Sequence, residues 1–154
     1  MASASSTPNF RQTVILTTEV AKYGMAAAIQ AGNENNEFFT IVVADAGGHL
    51  LCAERMKSTV MAQSVEIAQG KAQTAARFKK PTMVLEEGCN GGRSALLSAA
   101  GCTLMGGGVP LTQWAYGSTK FDEILGAVGV SGLTPQNDQK YAQIAINAML
   151  RCAP

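Results

Sequence analysis

The hydrophobic pattern divides the chain into short apolar blocks and longer stripes of helical period. RQTVIL, residues 11–16, predicts a short strand. Val20, Gly24, Ala27, Ala28 and Ala31 then recur at helical spacing, behind Thr17 or Thr18 as a capping hydroxyl, and Gly32-Asn33 is a stop. After the polar NENNE (33–37), FFTIVVA (38–44) is nearly continuous and β-branched, as in a strand covered on both faces. DAGG and HLLCAER follow, which predicts a β-hairpin. Residues 59–79 carry the longest helical pattern. Met61, Val65, Ala68, Ala72 and Ala75 make one stripe, Ser64, Ile67, Lys71, Thr74 and Phe78 the adjoining one, and Pro81 ends the helix.

Beyond Pro81 the pattern is broken by glycine. MVLEE and SALLSAA read as helical turns, GCNGGR (88–93) and MGGGVP (105–110) as loops. EILGAVGVSG (123–132) reads as a buried strand whose glycines mark close packing. Thr134-Pro135 caps a last helix that runs to about Arg151, with Tyr141, Ile144, Ala145 and Ala148 inward. The order is β-α-β-β-α-loops-β-β-α. The hairpin requires antiparallel pairing, so the expected class is α/β of the α+β kind: an antiparallel sheet with packed helices. The expected organisation is a flexible tail over 1–10 and a single domain over 11–154.

Charge narrows the partners. With 12 basic and 11 acidic residues and no basic run longer than Lys79-Lys80, no face suits nucleic acid or an anionic membrane surface. No apolar run approaches the length of a bilayer span, and MASASSTPNF lacks the apolar core of a signal peptide, so the expected location is the cytoplasm. The 4 cysteines have no C-x-x-C spacing and there is 1 histidine, which gives no zinc signature and suits reduced thiols.

The candidate chemistry is scattered. His49 follows Gly47-Gly48; it either opens a strand after a tight turn or acts as a ligand or general base on a loop rim. Asp45 is its nearest intrachain partner across the turn. Arg55 shares its strand face but lies about 20 Å along the strand, too far for one small substrate within one subunit. Arg55 is an exposed strand-end cation or a carboxylate clamp. Lys71 interrupts an apolar arc; it snorkels, or it is a desolvated lysine or anion anchor. Arg93 closes one glycine loop, with Glu86, Glu87 and Cys89 near it in sequence, and Gly106, Gly107 and Gly108 offer successive amides as an anion nest.

Several segments together resemble one family. VADAGGHLLCAERM (43–56), GGGVPL (106–111) and GAVGVSGLTPQND (126–138), with KAQTAARFKKPT (71–82), are similar to landmarks of the GlcG/HbpS-like, or haem-degrading domain, proteins and of the PduO C-terminal domain. The likeness spans roughly residues 13–150. It implies a profilin-like fold, an antiparallel β-sheet with packed α-helices, and assembly from dimers to octamers. It also implies haem or a corrinoid-related ligand in some members and small-acid catabolism around others, with no axial ligand at a fixed position. The chain departs from the common pattern in LTQWAYGSTKF (111–121), which holds Trp114.

Two functions follow as expectations. The first is a cofactor-independent hydrolase or isomerase of a small unsaturated, muconate-type carboxylate, working by tautomerisation or loss of a leaving group. His49 or Glu87 would move protons, Arg93, with Arg55 or Lys71, would hold carboxylates, and the Gly106–Gly108 amides would stabilise an oxyanion. The second is a haem-binding, haem-sensing or haem-degrading protein, its iron held by His49 or, failing that, by a cysteine, methionine or tyrosine. The anionic-ligand features favour the first. A purely structural oligomer is a third reading.

Overall fold

The computed structural model describes residues 8–10, 13–58, 61–112 and 123–152. Trp114 and most of the 111–121 segment lie outside the described residues. Helix α1 (Thr18–Glu34) is followed by the hairpin β1 (Thr40–Asp45) and β2 (Leu50–Arg55). Helices α2 (Ser64–Phe78) and α3 (Thr82–Asn90) come next, then a 3-10 turn (Ser94–Ser98). Strands β3 (Gly108–Thr112) and β4 (Ile124–Ser131) precede α4 (Pro135–Leu150). The strands form one antiparallel sheet in the order β2-β1-β4-β3. This is the expected α+β architecture.

Period-two alternation sends the two central strands' side chains to different layers. Phe39, Ile41, Val43, Val128 and Val130 face α1 and α4, where they meet Met25, Tyr141, Ile146 and Met149 in the main core. Val42, Ala44 and Ala127 face α2, which answers with Ala68, Ala72, Ala75 and Ala76. That second layer is thin because α2 lies almost on the sheet. A methyl group at Gly129 would overlap the Ala68 carbonyl oxygen and crowd the Ala72 amide. Strand β3 forms one edge. Val130 N–H donates to the Gly107 carbonyl, so by alternation Pro110 turns its donorless nitrogen away from β4, toward the open side.

The pattern misled in three places. Residues 13–16 form no strand; Leu16 packs on the core while Val14 and Ile15 stay exposed. MGGGVP is loop only as far as Gly107, because Gly108 already begins β3. In α2 the buried face holds Ser64, Lys71 and Thr74, whereas Met61, just before the helix, and Val65 are exposed. Small or internally bonded side chains are what a helix so close to the sheet can bury. Ser64, for one, shares a hydrogen bond of 2.7 Å with Thr40.

Gly129→Ala is expected to destabilise the fold by about 2–3 kcal/mol, as overpacking against backbone does. Urea denaturation checks this: the midpoint should fall with the slope unchanged.

Candidate functional site

Asp45 and His49 stand at the two ends of the hairpin turn. The Asp45 Oδ1 accepts the amides of Gly47 and His49, both at 2.9 Å, which closes the turn. The imidazole Nδ1 lies 3.3 Å from the same oxygen, and the His49 side chain is 75% exposed. With Nδ1 turned to the carboxylate, Nε2 is the nitrogen offered outward. Partial burial pushes the Asp45 carboxyl up, but the two amides and the imidazole outweigh it and hold it below its ordinary value of 3.8. Helix α2 supports the turn from beneath: Arg77 Nε donates to the Gly47 carbonyl at 3.2 Å, and Gly48 sits against Arg77 and Gln73. Arg77 is exposed, so its guanidinium stands beside His49's turn at the surface. Sequence reasoning passed over Arg77, which is 28 residues downstream of His49 in a helix tail; only the α2-to-hairpin contact brings it there.

Lys71 is neither snorkelling nor facing solvent. Its ammonium donates to Asp138 Oδ2 and to the Val130 carbonyl, each at 2.9 Å, and both charged side chains are 3% exposed. Lys71 belongs to α2 and Asp138 to α4, which cover opposite faces of the sheet. The pair meets beyond the start of β3, beside Gly107, whose φ is +122°. A Cβ there would lie 2.9 Å from Lys71 Nζ and 2.7 Å from Asp138 Cβ. Burial raises the Asp138 carboxyl, against the lowering effect of Lys71 and the Leu133 amide.

The neighbouring amides of the glycine loop are also engaged. Gly106 N–H donates to Glu86 Oε2, Gly108 N–H donates to Thr82 Oγ1 at 2.8 Å, and all three glycines are buried. Glu87 is exposed on α3. Arg93 lines a hollow of about 410 Å³ with Phe78, Ser94 and Leu96. Arg55 lines another of about 450 Å³ with Phe38 and Lys57. The structure thus brings Lys71 together with Gly107, and His49 with Asp45. Arg55, Arg93 and the His49 turn line no common cavity among the described residues.

The model of the family described as "Haem degrading protein HbpS-like" matches residues 16–147. The chain belongs to this HbpS-like family. Protein GlcG of Escherichia coli (strain K12) is 39% identical over 118 residues, covering 77% of this chain and 82% of that one. The crystal structure of Klebsiella pneumoniae protein ORFY superposes with a TM-score of 0.78 at 29% identity, over 94% of this chain and 97% of that one. A PduOC structure, solved as a haem complex, gives a TM-score of 0.73 over 88% of this chain and 95% of that one; at 24% identity this likeness speaks to the fold.

These relatives overturn the first functional expectation. The family whose model matches is described by haem degradation, not by action on a muconate-type carboxylate. The physical reason the sequence misled is plain in the geometry. Lys71, counted as a substrate cation, is spent on Asp138, and the Gly106 and Gly108 amides, counted as an oxyanion nest, already donate within the protein. A reading without any cofactor loses its support with it.

Two outcomes test this geometry. Lys71→Met leaves a buried carboxylate unpaired and should cost about 3–5 kcal/mol, whereas Lys71→Met/Asp138→Asn should recover much of that in a denaturation cycle. Asp45→Ala should cost about 1 kcal/mol near neutrality, through the lost turn hydrogen bonds. Because the folded Asp45 value is depressed, its contribution is present above 3.8 and fades as pH falls through the folded value. The two stability curves should therefore converge in acid.

Proposed function

We propose that this protein binds haem, with His49 Nε2 as iron ligand. The observation that carries the reading is the HbpS-like family match over residues 16–147. The residues of the hairpin rim fit the group. An imidazole whose Nδ1 is held by a carboxylate is oriented as iron-binding histidines are. Leu50, next along the edge strand and 54% exposed, offers apolar surface to a macrocycle. Arg77 beside the turn suits a propionate.

Haem supplies iron able to exchange electrons or take a further ligand. The chain's own part is to hold the imidazole in one tautomer, present Nε2 and neutralise an acidic edge. A rim this open suits cover by another copy of the chain, in keeping with homo-oligomers from dimer to octamer. Arg55, Glu87 and Arg93 have no part in this reading.

Haemin titration followed in the visible spectrum tests it. A Soret band saturating at one equivalent is expected, lost in His49→Ala and weakened about tenfold in Asp45→Asn. Arg77→Ala should weaken binding by about fivefold with the band position unchanged. A band that survives His49→Ala unaltered would sink the ligand assignment, and no saturable band in the wild type would sink the function.

A further inference from the structure

A sizeable cleft lies away from the hairpin rim, between α2, α3 and the chain that leads to β3. Open on one side, it has a volume of about 540 Å³, within the range of small-molecule sites. Its body is apolar, from Ile67, Leu97, Leu104 and Met105. Its charged lining is Glu66 and Glu86, with no lysine, arginine or histidine among the described lining residues.

The walls are tied to one another. Thr103 N–H donates to Thr74 Oγ1 at 2.9 Å and its side chain seats on Gly70, which fixes the loop to α2. Gly106 N–H donates to Glu86 Oε2, which fixes the same loop to α3 beside the cavity that Glu86 lines. The cleft is therefore preformed rather than a gap between loose segments.

We infer that this cleft is a second ligand site, selective for a small organic cation with an apolar body. Charge decides the class. Two glutamates lining one cavity, with no cation among its described lining residues, attract an ammonium group and repel a carboxylate ligand, and apolar walls reward a hydrocarbon or aromatic body. The same charges disfavour the dianionic edge of haem, so this site is separate from the His49 rim and does not depend on haem binding there.

Cys89 and Cys102 also line the cleft, both partly buried, and they provide the readout. The full chain is alkylated with N-ethylmaleimide while benzyltrimethylammonium is titrated, and each cysteine peptide is quantified by mass spectrometry. Phenylacetate, of similar size and opposite charge, is the control. The cation should slow labelling of Cys89 and Cys102 in a saturable way, leave the exposed Cys152 unaffected, and outcompete phenylacetate. Glu66→Gln, at an exposed helix position, should weaken the protection by about fivefold without altering the fold. Glu86→Gln, which retains an acceptor for Gly106, should weaken it further. Equal protection by cation and anion, no protection by either, or a cation preference that survives both variants would overturn the assignment.

Discussion

The ion pair between Lys71 and Asp138 is the constraint around which the molecule is arranged. It joins α2 to α4, which otherwise touch opposite faces of one sheet. A pair so deeply buried needs hydrogen bonds beyond its own contact, and here the Val130 carbonyl accepts from the ammonium and the Leu133 amide donates to the carboxylate. The space for it exists because β3 starts at Gly108 and Gly107 has no side chain. Next to it, the loop that walls the cleft is pinned at both ends, at Thr103 on α2 and through the Gly106 and Gly108 amides on α3. Packing, strand start and cleft wall share this one electrostatic tie.

Much of the fold was legible in the residues. The hairpin declared itself through FFTIVVA, an Asp/Gly turn and a second strand, all local signals. The last helix did so through Thr134-Pro135, and the Thr134 hydroxyl does accept the Asn137 amide. RQTVIL failed because a short apolar run does not by itself specify strand pairing. Both sheet edges belong to β2 and β3, and residues 14–17 instead help line an apolar pocket with Leu111, Leu125 and Met149.

The site was legible only in pieces. His49 and Asp45 are four residues apart, so their partnership was visible in the chain. Lys71 was recognised as odd, but its partner is 67 residues away on another helix, and nothing local to Lys71 names it. That distance made a structural cation look like a substrate clamp and tipped the functional reading toward an acid-binding enzyme. Arg77 and the acidic cleft were invisible for the same reason: they are made by which elements touch.

The two sheet edges differ in a way that bears on how copies of this chain can grow together. Pro110 blunts the β3 side, since it turns a nitrogen without a hydrogen to the outside. The β2 side has no proline. Strand addition between copies is thus less favoured at the β3 edge than at the β2 edge. A contact between two β2 edges would be twofold and closed, whereas growth into a fibre would need both edges of every copy.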